Sequence, residues 1–176
     1  MRFDAVYLDA SAAIMLFTRE EGYKNLQKFM QNPDESPTVF MTAFCVTETL
    51  SAIKTKWRND SKKTKKNPDE KQRLQAVYFS DCNDFLSHLR DDQIHVNDIP
   101  IADREIYKQV EPIAINNEID LVDAFQIVTL QRGLALPLRS GQSELLLILK
   151  DAALINPARE LRMKVWDCKR EASPPV

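Results

Sequence analysis

The sequence predicts an α/β fold in which a mostly parallel sheet of four to five strands lies between two layers of helices. Short segments rich in β-forming residues alternate with longer segments whose apolar residues have helical spacing. One or two helices separate successive strands, which requires right-handed crossovers and therefore parallel strands. The segment 143–150 contains a continuous apolar run, as expected for a strand that is buried on both faces.

The elements predicted for the first 71 residues are separated by polar or proline-containing segments. The apolar face of the third predicted helix is formed by Phe44, Val46, Leu50 and Ile53. In order, the elements are a strand over 3–9, helices over 11–22 and 20–31, a loop over 32–37, a strand over 38–42, a helix over 43–57 and a polar connection over 58–71.

The second part of the chain continues the same alternation. Pro112 and Pro157 both fall inside predicted helices. Pro112 is expected to strain or interrupt its helix, and Pro157 to kink its helix or to redefine where that helix starts. Gly133 suits a helix C-cap. The elements are helices over 72–90, 101–117, 120–133 and 151–162, and strands over 94–100, 143–150 and 163–168.

Length and composition limit the classes of protein to which the chain can belong. We expect a single domain over 1–168, with a basic helix–helix connection at about 54–73 and an unstructured tail over 169–176. With three glycines and no glycine-rich phosphate motif, nucleotide binding through such a loop is not expected. No apolar run approaches the roughly 20 residues that span a bilayer, so no membrane association is expected.

The termini and cysteines give expectations about location and metal type. The N-terminal segment contains Asp4 and no secretory apolar region, so a cytoplasmic protein is expected. The three cysteines, Cys45, Cys82 and Cys168, are widely spaced and form no C-x-x-C pair. A zinc site or a disulfide framework is therefore not expected.

Charge is distributed unevenly along the chain. Residues 54–73 contain nine basic and three acidic side chains, although the net charge of the whole protein is −2. Such a basic segment can contact RNA phosphates, and it can equally be a solvated helix end. The candidate RNA-contacting residues are Lys54, Lys56, Arg58, Lys62, Lys63, Lys65 and Lys66.

Two acidic residues directly follow predicted strands. Asp9 ends the first strand and Asp151 follows the apolar strand, and each precedes a helix. Because ligand sites of open α/β sheets lie beyond the carboxyl ends of the strands, both carboxylates are expected to point into a cleft. Ser11 can assist there or cap the helix that follows. Helix capping by each aspartate is the alternative interpretation.

Two further acids lie on predicted helices. Glu48 shares its helix side with Cys45 and Ala52, which indicates an inward position. Asp123 has apolar neighbours at helical spacing, which also indicates an inward carboxylate. Asp120 is expected to cap the start of the helix that carries Asp123.

Four scattered acids in one small α/β domain suggest a shared function. Carboxylates gathered in one cleft repel one another unless a cation lies between them. A hard divalent cation, Mg²⁺ or Mn²⁺, prefers such oxygen ligands. A cation held in this way is suited to phosphodiester hydrolysis.

Four segments of the chain resemble the PIN-domain ribonucleases, especially the VapC-type toxins of bacterial toxin–antitoxin pairs. The resemblance extends from about Phe3 to Trp166. The ordered set of four acids in these surroundings is more specific than any one motif. The segments are VYLDASAAIMLF, VTETLSAIK, IDLVDAFQIVTL and LLLILKDAALINPARELRMKVW.

The resemblance implies a PIN-like three-layer α/β/α fold and a Mg²⁺- or Mn²⁺-dependent endoribonuclease. Asp9 and Asp123 match the family's principal metal-binding acids, and Glu48 and Asp151 match the other two acidic positions. Ser11 matches a hydroxyl that assists at the metal, whereas Asp120 has no firm match and is assigned beside the metal-binding shell. The family further implies an RNA substrate, a homodimer and an antitoxin whose arginine can take the place of the cation.

One position departs from the family pattern. Many relatives have a threonine two residues before the fourth acid, where this chain has Leu149. Leu149 removes a polar contact near the expected metal. This departure favours one alternative, a catalytically inactive PIN-like scaffold that binds RNA or a protein partner.

A second alternative is a phospho-acceptor signalling module on a flavodoxin-like fold. Such a module also uses Mg²⁺ and carboxylates at strand ends, together with a lysine after a late strand. Lys150 stands at such a position, but Glu48 has no role in that chemistry. The two histidines, His88 and His95, have no setting typical of a metal site or a catalytic triad.

Overall fold

A five-stranded parallel sheet forms the centre of the molecule. The structure, a computed structural model, describes residues 3–32, 37–64, 67–101, 103–132 and 145–175. Every neighbouring pair of strands is parallel, in the spatial order β3-β2-β1-β4-β5. The strands are β1 (Ala5–Leu8), β2 (Thr38–Met41), β3 (His95–Val96), β4 (Leu145–Leu149) and β5 (Lys164–Asp167).

Helices cover both faces of the sheet, which confirms the predicted three-layer α/β/α fold. One face packs against the first four helices of the chain and the other against the last three. In the described part of the chain, the helices are α1 (Ala10–Phe17), α2 (Tyr23–Met30), α3 (Ala43–Lys63), α4 (Pro68–Arg90), α5 (Arg104–Asn117), α6 (Leu121–Arg132) and α7 (Ala152–Glu160).

The alternation of side chains along β1 creates two cores. Val6 and Leu8 point into the core beneath α1 and α2, whereas Ala5 and Tyr7 point into the core beneath α6 and α7. All of β1 and β4 is buried, which explains why β4 is continuously apolar. The two central strands therefore hold their carboxyl ends firmly beside each other.

The order of the strands determines where a ligand site can form. The chain proceeds outward from β1 to β2 and β3, and then crosses back to β4 and β5 on the other side. Between β1 and β4, consecutive crossovers lead to opposite faces, which opens a crevice beyond the strand ends. The order also differs from that of flavodoxin-like sheets, which begins 2-1-3. The flavodoxin-like fold that the phospho-acceptor alternative assumed is therefore not the fold observed.

The basic connection predicted between two helices is largely helical. Helix α3 continues to Lys63 and α4 begins at Pro68, so the polar residues between positions 58 and 71 mostly extend these two helices. Asn67 caps α4 through hydrogen bonds from the backbone N–H groups of Asp69 and Glu70. Lysine and arginine have good helix propensity, so a polar composition alone did not distinguish a loop from exposed helix.

Neither proline inside a predicted helix interrupts it. Helix α5 continues through Pro112, and α7 begins at Ala152 and continues through Pro157. Pro112 lies on the exposed side of α5, as does Lys108, whose carbonyl loses its helical donor to the proline. Water can solvate that carbonyl, which lowers the cost of a proline at this position.

The tail was expected to be unstructured from position 169, and this was wrong for its first residues. The side chain of Glu171 accepts hydrogen bonds from Arg159 at 2.8 Å and from the backbone N–H of Asp167 at 3.2 Å. Its backbone carbonyl accepts from the indole of Trp166 at 3.0 Å. These contacts fix the segment after β5 against the end of α7.

Several expectations fall on residues outside the described ranges. They concern most of the loop at 32–37, the Gly133 cap and two of the basic residues, Lys65 and Lys66. Within the described ranges, none of the helices combines the length and the apolar character needed to cross a bilayer.

Candidate acidic site at the carboxyl end of the sheet

Asp9 forms the buried centre of the site. It directly follows β1, and its backbone N–H donates to the carbonyl of Ile148 at 2.9 Å, so it is held beside the end of β4. Only 6% of its surface is exposed. Its side chain caps α1 by accepting from the backbone N–H of Ser11 at 2.8 Å. The capping interpretation and the cleft position therefore both hold for this residue.

The Ser11 hydroxyl connects the ends of the two central strands. It donates to the Asp9 carboxylate and accepts from the backbone N–H of Lys150 at 2.9 Å. One hydroxyl thus joins the turn after β1 to the turn after β4. The side chain of Asp9 is oriented by this hydroxyl and by the N-terminus of α1.

Asp151 stands between β4 and α7, as Asp9 stands between β1 and α1, but Lys150 separates Asp151 from its strand. It caps α7 by accepting from the backbone N–H of Ala153 at 2.8 Å. Unlike Asp9, Asp151 is exposed. The parallel pairing of Leu8 with Ile148 brings the two strand ends, and therefore these two acids, to the same edge of the sheet.

Helix α6 contributes two more acids. Asp120 caps the helix by accepting from the backbone N–H of Asp123 at 2.8 Å, as predicted. Asp123 lies in the first turn and is half-buried, whereas Asp120 is exposed. The residues that follow Asp123 are buried from Ala124 to Leu130, so the helix is fixed firmly against the sheet and α5.

Glu48 occupies the rim of the site. It lies in α3, near Cys45, and its residue surface is largely exposed. The expected inward burial of Glu48 was wrong, because the buried positions of this helix are Cys45, Thr49 and Ile53, on a neighbouring stripe. Glu48 nevertheless interacts electrostatically with Asp9 and Asp120.

The electrostatics of Asp123 show that the acids converge. Burial, followed by the charges of four other acids, raises the pKa of the Asp123 carboxyl from 3.8 to about 7. The four acids are Asp120, Asp9, Asp151 and Glu48, in decreasing order of effect. The other three principal acids selected from the sequence therefore each act on Asp123, as does Asp120.

The pKa values of Asp9 and Glu48 are raised in the same environment. Burial raises the pKa of Asp9, and the negative charge of Asp151 raises it further. The hydrogen bonds from Ser11 act in the opposite direction and lower the pKa of Asp9. Burial and the charges of Asp9 and Asp120 raise the pKa of Glu48. Ionising these carboxylates together therefore costs free energy, and a bound cation would lower that cost.

The side chains of the cluster are of the type that binds a hard divalent cation, but they are not positioned together as a metal site. The acids offer carboxylate oxygens, the ligands that Mg²⁺ and Mn²⁺ prefer. Across the described ranges, no three or more His, Cys, Asp or Glu side chains are grouped so as to hold a metal ion. The acids are close enough to perturb one another, but a cation would have to draw them together.

Two neighbours of the site were not selected as site residues from the sequence. The Cys45 thiol lies 4.0 Å from the Asp9 carboxylate, and burial together with the charge of Asp9 raises the pKa of Cys45 to about 12. Glu20, after α1, binds Lys150 at 2.5 Å. The position of Lys150 beside Asp151 was a sequence signal for a charged contact here, but its partner depends on the tertiary fold.

The basic residues predicted to contact RNA lie on the exposed surface of α3 as far as they are described. The Lys56 ammonium contacts Glu20 at 3.4 Å and the Thr18 hydroxyl at 3.2 Å, and Lys63 contacts Asp60 at 3.2 Å. The described residues of this set are Lys54, Lys56, Arg58, Lys62 and Lys63.

Leu149, the departure from the family pattern, is an interior residue of β4. It is fully buried and pairs with Asp167 of β5. Its carbonyl accepts from the backbone N–H of Cys168 at 3.1 Å. The leucine side chain therefore belongs to the core beneath α6 and α7, where an apolar residue packs well.

Comparison with known proteins gives few matches. No family model matches the chain, and no curated protein matches it. Among solved structures, the chain is similar to PAE2754 from Pyrobaculum aerophilum, with a TM-score of 0.49 and 14% sequence identity. That similarity covers 87% of this chain and 84% of PAE2754. The function of the chain must therefore be argued from the chemistry of the acidic site.

Proposed function

We propose that the protein is a Mg²⁺- or Mn²⁺-dependent endoribonuclease that hydrolyses phosphodiester bonds of RNA. The observation that supports this proposal most strongly is the convergence of acids from four elements on the crevice between β1 and β4. Open α/β sheets bind their ligands in this crevice. The resemblance of the motifs around these acids to PIN-domain ribonucleases supports the same activity.

The acids would have different tasks at the site. Asp9 and Asp123, the more buried pair, would hold the cation directly. Glu48 and Asp151, which are exposed, would complete its shell or orient a water molecule. Ser11 would keep the Asp9 carboxylate in position through its hydrogen bond. A bound dication supplies a polarised phosphate and a more acidic water in such sites.

The raised pKa of Asp123 matters for this role. With a pKa of about 7, Asp123 is only partly ionised at neutral pH in the metal-free protein. A dication favours the ionised form, so metal binding releases a proton and becomes tighter as the pH rises. We therefore expect the activity to increase from pH 6 to pH 8.

The proposed partners follow from the resemblance to VapC-type toxins. We propose a homodimer that is held inactive by an antitoxin, with an antitoxin arginine among the carboxylates. The acidic cleft supports this proposal, because a guanidinium group complements several carboxylates. The exposed basic face of α3 would contact the RNA backbone outside the cleft.

RNA cleavage by a variant that lacks the negative charge of Asp9 tests the proposed function. We expect wild-type protein to cleave single-stranded RNA when Mn²⁺ or Mg²⁺ is added, and Asp9→Asn to lose this cleavage while remaining folded. Asp69→Asn, which removes an exposed helical acid of α4, is the matched control. Full activity of Asp9→Asn would show that the assigned centre is wrong.

A catalytically inactive scaffold that binds RNA or a protein is the second candidate. It is favoured by the finding that no three acids among the described residues are already grouped as metal ligands. Thermal unfolding with increasing Mn²⁺ separates the two functions. A metal-dependent enzyme gains stability as the cation binds, whereas a scaffold without a metal site does not.

A further inference from the structure

Lys150 directly precedes Asp151 of the acidic site, but its ammonium group binds Glu20 and not the acids of the site. Lys150 separates Leu149, the last residue of β4, from Asp151. Its backbone N–H donates to the Ser11 hydroxyl, which in turn donates to Asp9. The backbone of Lys150 is therefore fixed within two hydrogen bonds of the most buried acid.

The ammonium group of Lys150 is bound by Glu20. The Lys150 Nζ atom lies 2.5 Å from Glu20 Oε2, and the two side chains are 25% and 30% exposed. Glu20 also accepts from Lys56 and from the Thr18 hydroxyl, each at 3.4 Å. Partial burial alone would raise the pKa of Glu20, but the contacts with Lys150 and Lys56 lower it, so this carboxylate is ionised.

Among the described residues, no basic side chain is bound to the acids of the cluster as Lys150 is bound to Glu20. The charges that act most strongly on the pKa of Asp123 are those of acids, and the charge of Asp151 raises the pKa of Asp9. A lysine side chain is long and flexible, so an unbound Lys150 ammonium would be attracted to these carboxylates. There it would compete with a divalent cation for the same oxygens.

We propose that Glu20 is a positioning residue that keeps the Lys150 ammonium out of the acidic site and so preserves the site for a divalent cation. The inference rests on the proposed function, because it concerns the affinity of that same site for metal. In the described part of the chain, the side chain of Glu20 contacts Lys150, Lys56 and Thr18 rather than the acids of the cluster, so its effect on the cluster is exerted through Lys150. Its loss turns Lys150 into an internal competitor of the cation.

Titration of Mn²⁺ into metal-free protein tests this role. The variant Glu20→Gln keeps the size of the side chain and removes its charge. We expect its Kd for Mn²⁺ to be about three- to five-fold weaker than that of the wild type, the range of an ion pair at a partly exposed position. The control Glu21→Gln makes the same charge change at the neighbouring exposed position and is expected to leave the Kd unchanged.

A double variant separates competition by Lys150 from simple structural damage. In Glu20→Gln with Lys150→Met, the competitor is absent, so we expect Mn²⁺ affinity to return at least to the wild-type value. If the double variant binds as weakly as Glu20→Gln, Glu20 acts by supporting the structure and the inference is wrong. Unchanged affinity in Glu20→Gln alone would also overturn it. In both cases, the proposed function would stand.

A structure of the metal-free Glu20→Gln variant decides the inference even if the wild type binds no Mn²⁺. In that event the proposed function fails, but the position of Lys150 can still be observed. The inference predicts its Nζ atom within about 3 Å of a cluster carboxylate. If the ammonium remains on the side of α1, the inference is overturned.

Discussion

Replacement of Asp123 by asparagine should stabilise the metal-free protein at alkaline pH. The pKa of Asp123 is about 7 in the folded protein, compared with 3.8 without the influence of the fold. Without screening by solvent, that difference in pKa corresponds to about 4 kcal/mol in the free energy of unfolding. Water and salt screen a half-buried carboxylate, so we expect a gain of about 1 to 2 kcal/mol from Asp123→Asn at pH 8.

The pH dependence of this gain follows from proton linkage. Between about pH 4 and pH 7, the folded protein retains the Asp123 proton that the unfolded chain has already lost. The free energy of unfolding of the wild type therefore falls as the pH rises through this range. Because the asparagine side chain does not titrate, the gain from Asp123→Asn should be full at pH 8, about a third of that at pH 5 and absent near pH 3.

Thermal unfolding in the presence of a chelator measures the effect. For a chain of this length, the expected gain raises Tm by about 2 to 8 °C. Asp69→Asn is the control, because Asp69 also lies in the first helical turn, but on exposed α4. We expect that control to lower Tm slightly through loss of a favourable helix-dipole interaction. A Tm of Asp123→Asn at or below that of the wild type at pH 8 would refute the reasoning.

Two further substitutions test contacts that support the site and the end of the chain. Ser11→Ala removes the hydroxyl that joins Asp9 to the backbone of Lys150. It should lower the free energy of unfolding by about 1 kcal/mol in urea denaturation, and an unchanged midpoint would contradict this role. Glu171→Ala removes the carboxylate that binds Arg159 and Asp167 and should cost about 0.5 to 1 kcal/mol. If the same assay shows no loss, the segment after β5 is not held by this side chain.

Local pattern was sufficient to predict the layers of the fold and the positions of two acids, Asp9 and Asp151, beyond the ends of strands. The apolar run of β4 indicated a central strand, and the parallel crossovers followed from the alternation of elements. Asp9 and Asp151 were identified because each follows an apolar segment that was predicted to be a strand. Asp123 was identified by its apolar neighbours, and the structure shows it half-buried in the first turn of α6.

The expectations that were wrong depended on tertiary context. Glu48 was expected to point inward, but the rotation of α3 against α4 and the sheet places Cys45, Thr49 and Ile53 inside instead. The partner of Lys150 is Glu20, which is 130 positions away in sequence, so no local spacing could indicate the pair. The lysine-rich segment after position 58 was assigned to a loop because helix propensity and loop composition overlap for charged residues.

The position of a bound Mn²⁺ ion would show whether Asp9 and Asp123 form a metal site. An anomalous difference map from crystals of the protein soaked in Mn²⁺ should show a peak between Asp9 and Asp123, at about 2.1 to 2.2 Å from carboxylate oxygens of both residues. The same soak of Asp9→Asn should give no peak there. A well-ordered crystal with the acids free of metal, or with Mn²⁺ bound only elsewhere, would show that Asp9 and Asp123 do not form a metal site.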